Sequence, residues 1–209
     1  EIHFLQVVWG RYFFMLVISI PLAFIFFRKE LKFPKSLSVQ LWRSFFLFLS
    51  TVFFFYAISI ISLAEALTLA FVSPIIVSVL SIFYLKEKVG IHRWLAVFIG
   101  FFGVLIIIRP GFIDLNFASL SALLAGISYA FYILYTRKLS FTDSAFVTLI
   151  FTGSIGCFLI SMIVPFFWTN LSLQQVLFLI LLACIGTLGH FLIILSLRFG
   201  EASKLAPLG

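Results

Sequence analysis

Seven long, continuous apolar stretches constrain this chain of 209 residues more than any other feature of its sequence. A membrane-spanning helix needs about 20 apolar residues, whereas the strands of a membrane barrel would alternate apolar and polar positions over about ten residues. The pattern predicts an all-α fold, a polytopic transmembrane helical bundle with about seven to eight helices here, since the chain from Gly200 onward resembles the start of an eighth. The predicted spans cover 4–27, 39–62, 65–85, 93–109, 117–136, 145–167 and 175–198.

Composition excludes several classes of protein. Hydrophobic residues make up 64% of the chain and charged residues 10%, against about 45–50% and about 25% in soluble domains. These values exclude a water-soluble enzyme, a disordered chain and a nucleic-acid-binding module, so we expect a lipid bilayer around the chain and no nucleic acid as partner. Cys157 and Cys184 lie in apolar stretches without metal-ligand spacing, and we expect no disulfide framework, no metal site and no cofactor.

The cations of the connections fall almost entirely on one side of the predicted membrane. The second, fourth and sixth connections contain only Arg109, while the odd-numbered connections contain eleven Lys and Arg residues. Since cytoplasmic connections carry the excess of Lys and Arg, the odd-numbered connections are predicted to be cytoplasmic, in a multi-pass protein of the plasma (bacterial inner) membrane. The eleven are Arg28, Lys29, Lys32, Lys35, Lys86, Lys88, Arg93, Arg137, Lys138, Arg198 and Lys204.

A weak internal repeat relates the two halves of the chain. Residues 64–70 (AEALTLA) resemble residues 200–206 (GEASKLA), an offset of 136 that places the first span on the sixth and the second on the seventh. Because the paired spans are five helices apart, the two copies cross the membrane in opposite directions, as in the inverted repeats of secondary transporters. The offset predicts inverted five-helix repeats in a ten-helix parent with both termini cytoplasmic, and this chain as a fragment of it.

Several motifs in this order carry a resemblance to a known family. Residues 62–74 (SLAEALTLAFVSP), 85–89 (LKEKV) and 100–111 (GFFGVLIIIRPG) resemble the first EamA repeat of the drug/metabolite transporter superfamily. Residues 129–139 and 186–207 resemble the second repeat.

The resemblance implies a division of the chain and a function. Residues 1–111 would be the first EamA repeat without its first helix, and residues 112–209 the second repeat without most of its last two helices. It also implies an alternating-access transporter of small metabolites with a central cavity between the repeats.

Two ionisable residues lie deep in predicted spans, where such groups are costly and commonly functional. Arg11 lies eight residues into its span, roughly 10 Å below the outer edge. It either reaches back to the interface or faces the cavity and attracts an anionic or carboxylate substrate. His190 lies near the middle of its span, either as a neutral histidine bonded to a neighbouring helix or as a group that bonds substrate or carries a proton.

Polar residues at helical spacing predict where the cavity wall lies. One polar side is present on the second span and another on the fifth, where the small residues Ala122, Gly126 and Ala130 lie roughly opposite and suit close helix packing. Hydroxyl bonds between helices are the alternative explanation, favoured for the second span, while a cavity wall is favoured for the fifth. The two polar sets are Ser44, Thr51, Ser59 and Ser62, and Ser121, Ser128, Tyr132 and Tyr135.

A further group of residues is predicted to gate the cavity. Glu65 and Glu201 occupy matching repeat positions on opposite sides of the membrane, as a pair of gates would, although helix capping alone also explains each carboxylate. Pro74 lies in the middle of its span, removes an N–H and is predicted to loosen the helix as a hinge. Glu87 is predicted to pair with Lys88 or Arg93 rather than to contact substrate.

The leading hypothesis is an integral membrane secondary transporter that moves a small organic metabolite by alternating access. An intramembrane enzyme and a seven-helix receptor are the alternatives. No Asp lies in a span to serve catalysis, and no Lys lies in a span to hold a retinal Schiff base, so we expect no enzyme activity. A homodimer is left open. The predicted substrate-binding residues are Arg11, Tyr56, Thr68, Tyr129, Tyr132 and His190.

Overall fold

The computed structural model describes residues 2–87, 89–108 and 116–206. Over these residues the regular structure is entirely helical, which confirms the predicted all-α class. Short 3₁₀ turns follow α1 and α7, and a π-helical turn, Ser81–Leu85, extends α4. The helices are α1 (Phe4–Phe26), α2 (Leu37–Ile58), α3 (Leu63–Ala70), α4 (Val72–Leu80), α5 (Ile91–Ile108), α6 (Phe117–Leu139), α7 (Ala145–Ser161), α8 (Leu173–Phe199) and α9 (Ala202–Leu205).

All seven predicted spans fall on helices. Five helical segments in the described ranges are long and apolar enough to cross a membrane, namely α1, α2, the combined segment Leu63–Leu85, α6 and α8. Helices α5 and α7 contribute shorter apolar stretches, Trp94–Gly103 and Ala145–Ser161. The polytopic helical bundle predicted from the sequence is therefore confirmed.

Side-chain caps fix where helices begin. The Oδ1 atom of Asn116 accepts the backbone N–H groups of Ala118 and Ser119 at 2.9 Å, at the start of α6. Ser172 and Gln175 form a reciprocal capping box at the start of α8. A helix N-terminus leaves its first amide groups without partners, and side-chain oxygens supply them.

Connections that were predicted to share one side meet at one end of the bundle. The first and fifth connections join through Asp143, which accepts the backbone N–H of Lys35 (3.2 Å) and Nε2–H of Gln40 (2.8 Å). The third and seventh join through Glu87, which accepts the backbone N–H of Ala202 at 2.9 Å. We call this end of the bundle the cation-rich end.

Glu87 has partners other than those predicted for it. Its Oε1 atom lies 3.6 Å from Nε of Arg137, and its carboxylate accepts the backbone N–H groups at the start of α9. A carboxylate is stabilised there by the positive end of the helix dipole. Of the two predicted partners, Lys88 lies outside the described residues, and the side chain of Arg93 is not described.

The opposite end of the bundle joins α1 to the sixth connection. Nε2 of Gln6 donates to the carbonyl oxygen of Thr169 at 2.8 Å, and the ring of His3 stacks on Phe167 with centroids 4.8 Å apart. Arg109, the one cation predicted for this side, lies outside the described residues.

Helices α2 and α6 form the most extensively packed pair and lie at the centre of the bundle. Helix α1 packs against both α7 and α8, and α7 also packs against α2. Apolar side chains on the outer side of α8, including Leu181, Ile185 and Leu188, are exposed, as a helix surrounded by lipid requires.

Candidate functional site: a cavity between the helices

A cavity of about 240 Å³ lies between α1, α2, α3, α4, α6 and α8. Its wall is largely apolar and aromatic and includes Phe54, Phe71 and Tyr129. Ligand sites for small molecules have this character, with a few polar groups that orient the ligand. The polar groups on the wall are Arg11, Ser50, Thr51, Ser73, the hydroxyl of Tyr129, and His190.

A break in the third span forms one side of the cavity. Helix α3 ends at Ala70 and α4 begins at Val72, with Phe71 as a turn between them. Pro74 has no N–H to bond the carbonyl of Ala70, four residues before it, and so interrupts the helix. Gly126 of α6 faces the break, because a Cβ there would lie 2.6 Å from the Ala70 carbonyl oxygen. The interruption predicted from Pro74 is present, about one turn upstream.

Arg11 reaches across the cavity wall to α8. Its Nη2 atom donates to Nε2 of His190 at 2.6 Å, and its guanidinium carbon lies 5.9 Å from the centroid of the Phe55 ring. The position that a Cβ would take at Gly186 lies 3.6 Å from the Nε atom of Arg11. Arg11 thus crosses α8 one turn before His190.

His190 continues this contact toward α6. A guanidinium can only donate hydrogen bonds, so Nε2 of His190 must accept, and the ring proton lies on Nδ1. Nδ1–H then donates to the hydroxyl oxygen of Tyr132 at 3.1 Å. The same oxygen accepts Nη2–H of Arg43 at 3.2 Å. Donor and acceptor chemistry therefore fixes His190 as the neutral Nδ1–H tautomer.

Sequence reasoning missed Arg43, which is fully buried. Its Nε donates to Oγ1 of Thr136 at 2.8 Å, and its Nη1 donates to the carbonyl of Thr148 and to Oγ1 of Thr152. Its guanidinium carbon lies 4.7 Å from the ring centroid of Tyr132. The signal was present in the sequence, because Arg43 is, like Arg11, a cation inside an apolar stretch.

Of the predicted substrate-binding and gate residues, four lie on the cavity wall: Arg11, Pro74, Tyr129 and His190. Tyr132 lies behind Tyr129, with ring centroids 5.4 Å apart, and is fully buried. Tyr132 bonds the cavity-lining residue His190 but is not itself among the cavity-lining residues.

Other predicted residues lie elsewhere. The ring of Tyr56 packs on Phe4 at 5.7 Å, and the hydroxyl of Thr68 donates to the carbonyl of Ala64 at 2.6 Å within its own helix. Neither is among the cavity-lining residues. A hydroxyl bonded to the carbonyl four residues earlier is common in apolar helices, which explains Thr68.

The predicted gate residues begin the two short helices. The backbone N–H of Glu65 in α3 donates to Oγ of the capping residue Ser62 at 3.2 Å. Glu201 is itself the capping residue of α9, and its Oε2 lies 3.4 Å from Nζ of Lys204. The two carboxylates thus occupy different positions of the helix start, and neither is among the cavity-lining residues.

The polar sides predicted for two spans require correction. On α2, Ser50 and Thr51 line the cavity, while Ser59 lies exposed at the end of the helix. On α6 the small-residue side, with Ala125, Gly126 and Tyr129, lines the cavity instead of the serine and tyrosine side. Gly126 packs closely against the Ala70 carbonyl on that side, and the cavity lies beside this contact.

A bundle of apolar helices around a largely apolar cavity with a few polar groups on its wall defines the class: a multi-pass membrane protein built to admit a solute. Residues 1–109, just over half of the chain, match the EamA-like transporter family. The chain belongs to this family, which confirms the resemblance stated above.

Similar proteins agree with this assignment. The chain is 25% identical over 207 residues to an S-adenosylmethionine uptake transporter of Rickettsia bellii, covering 99% of this chain and 71% of the relative. The Rickettsia felis protein of the same description is 25% identical over 208 residues, with 99% and 70% covered. A riboflavin transporter of Vibrio cholerae is 35% identical over 102 residues, with 49% and 32% covered. These findings confirm a membrane transporter of a small organic molecule rather than an enzyme.

Proposed function

We propose that this protein moves its solute by alternating access, with the cavity between α1, α2, α3, α4, α6 and α8 as the binding site. The observation that carries the proposal is the cavity wall, where Arg11, Tyr129 and His190 from three helices meet beside a broken span. Alternating-access transporters bind substrate between structural repeats at discontinuous helices.

Packing supports two inverted repeats divided at about residues 111 and 112. The offset of 136 relates α1 to α7 and α2 to α8. Helix α1 packs against α8, and its counterpart α7 packs against α2. A two-fold axis in the membrane plane would produce this exchange of partners.

The break at Phe71 is the proposed hinge, and Glu65 and Glu201 the proposed gate residues. Helix α3 begins at the end of the bundle opposite to the cation-rich end, and α9 begins at the cation-rich end beside Glu87. Rocking of one repeat against the other would open one of these ends and close the other.

The proposed setting is the plasma membrane, with the cation-rich end in the cytoplasm. Single cysteines test this orientation in the full-length protein, with Cys157 and Cys184 replaced by alanine. Ser59→Cys and Val89→Cys should react with an impermeant maleimide from opposite faces. Labelling of both from one face would contradict the inverted arrangement. Cross-linking through further surface cysteines tests whether the protein forms a homodimer, which the sequence left open.

S-adenosylmethionine is the first candidate substrate, because two relatives with that description match nearly the whole chain. Uptake of labelled S-adenosylmethionine and of riboflavin into proteoliposomes of the full-length protein tests the proposal. We expect saturable uptake of at least one solute, retained in Cys184→Ala on the exposed side of α8. Uptake no greater than in empty liposomes, across a broader metabolite panel, would contradict transport.

A further inference from the structure

Two arginines, Arg11 and Arg43, lie in membrane-spanning helices more than one turn from either helix end. No ion pair with a carboxylate is found for either among the described residues. The ion pairs in that part of the chain join Arg137 to Glu87 and Lys204 to Glu201, at the cation-rich end. A charge in apolar surroundings without a counter-charge is costly and commonly marks a functional site.

Arg43 is the fixed member of this pair. Four of its N–H groups are used by oxygen atoms of Tyr132, Thr136, Thr148 and Thr152, and none of its surface is exposed. Neutral oxygens alone hold it, and the side chain has no route to a solute in the cavity. Arg43 can therefore affect a solute only indirectly, by holding its hydrogen-bond partners in place.

Arg11 differs from Arg43 in its exposure and in the number of its hydrogen bonds. It lines the cavity, is only half-buried, and makes one hydrogen bond within the described residues, to His190. A guanidinium carries five N–H donors in a planar fork that matches a carboxylate. Most of the donors of Arg11 remain for a ligand.

We infer that Arg11 is the binding subsite for a carboxylate on the transported solute, and that Arg43, Tyr132 and His190 hold it in position. This inference rests on the proposed function. A carboxylate would supply the negative charge that the described wall lacks, in a bidentate pair with Arg11. Phe54, Phe71 and Tyr129 would contact the apolar or aromatic remainder of the solute.

The tautomer of His190 separates its role from that of Arg11. Nε2 accepts from Arg11 and Nδ1–H donates to Tyr132, so the neutral ring has no N–H left for an anion. His190 is therefore a positioning residue, and so are Tyr132 and Arg43 behind it. Tyr132→Phe removes the hydroxyl that joins His190 to Arg43 and leaves the ring in place.

Matched pairs of solutes with and without a carboxylate test the inference in proteoliposomes of the full-length protein. The pairs are S-adenosylmethionine and its decarboxylated form, tryptophan and tryptamine, and histidine and histamine. For the pair that the wild-type protein takes up, we expect the acid to bind about tenfold more tightly or better than the amine. Arg11→Gln should weaken the acid about tenfold and change the amine less than about twofold.

Two further variants keep the test decisive if Arg11→Gln folds poorly. Arg11→Lys keeps a charge without the fork and should keep part of the preference for the acid. Tyr132→Phe should raise the half-saturating concentration of the acid about threefold or more while leaving the amine and the maximal rate unchanged. A purely structural loss would lower the maximal rate for both solutes instead.

The outcomes that overturn the inference are distinct from those that overturn the proposed function. Equal binding of acid and amine by the wild type, or equal weakening of both by Arg11→Gln, would refute the carboxylate subsite while transport stands. Uptake of riboflavin or of another solute without a carboxylate, but of none of the six, would also refute the subsite alone. Uptake of no solute from these pairs or from the broader metabolite panel would refute the proposed function and the subsite together.

Discussion

The regions around Arg43 and Arg11 contain the same chemical group in two different settings. Arg43 donates to α6 and α7 from a fully buried position in α2. Arg11 lies at the cavity and donates to one partner, His190, on α8. Since both are guanidinium groups inside apolar helices, the difference lies in the acceptors that the neighbouring helices offer.

Counting used donors therefore distinguishes an arginine that joins helices from one that is free to bind a ligand. The hydroxyl oxygens of Thr136 and Thr152 lie within hydrogen-bond distance of the Arg43 guanidinium and accept from it. Among the described residues, no comparable set of hydrogen-bond acceptors is found for Arg11, which bonds His190 and lies near the Phe55 ring and Gly186. Depth in the membrane alone does not separate the two cases.

Arg43→Ala should cause the largest loss of stability. Polar contacts in membrane proteins contribute about 0.6 kcal/mol each, so removal of four should cost about 2–3 kcal/mol. Arg11→Ala, the matched control, removes one such contact and should cost about 0.6 kcal/mol. Thermal unfolding of the detergent-solubilised full-length protein measures both. Equal losses would mean that the two regions do not differ as described.

Gly126→Ala tests the helix that connects both regions, because α6 carries Tyr132 beside Arg43 and Tyr129 beside the cavity. The new Cβ would lie 2.6 Å from the Ala70 carbonyl, and such overpacking costs about 1 kcal/mol or more. Gly189→Ala in α8 is the control, since nothing lies within 4 Å of its Cβ position. It should leave stability unchanged or raise it by up to about 1 kcal/mol. Equal unfolding temperatures of the two variants would show that α6 does not need glycine at the break.

The helices could be predicted because their signal is local. An unbroken apolar stretch of span length has one stable form in lipid, which is a helix, and the cation count placed the odd-numbered connections together. Glu87 shows the limit of this reasoning. Its sequence neighbours suggested one set of partners, but its described partners, Arg137 and the start of α9, lie far away in the chain.

The candidate site was only partly predictable, because it too depends on contacts between residues that are distant in the chain. Arg11 and His190 stood out as ionisable groups in apolar stretches, and Pro74 as a helix breaker. Which side of α6 faces the cavity depends on how it is rotated against α2 and the broken span, and sequence spacing does not fix that rotation. Polar spacing suggested the Tyr132 side, but the small-residue side faces the cavity.

Thr152→Val isolates one acceptor of Arg43 and should have a smaller effect than the changes above. Valine keeps the shape and loses the oxygen, so we expect a loss of about 0.6 kcal/mol. In an Arg43→Ala background the same change should cost less, because the Arg43 donor is already gone and only the bond from the Thr152 hydroxyl to the carbonyl of Thr148 (2.8 Å) is lost. Ser154→Ala on the exposed side of α7 controls for loss of a hydroxyl. Additive losses in the double variant would show that Thr152 and Arg43 act independently.

Asp143→Asn should have the smallest effect and tests how far the Arg43 region extends. Asp143 accepts from Lys35 and Gln40 at the cation-rich end, and Gln40 also donates to Oγ1 of Thr148 at 3.1 Å. Asparagine keeps one acceptor and Gln40 keeps its second partner, so we expect a loss below about 0.5 kcal/mol. A loss as large as that of Arg43→Ala would instead mean that the hydrogen bonds from Asp143 through Thr148 to Arg43 act as one cooperative unit. The hydrogen-bonded group around Arg43 would then extend to the surface of the bundle. Arg43 and Arg11 would in that case differ in how many hydrogen-bonded residues they join, and burial would not be the distinction.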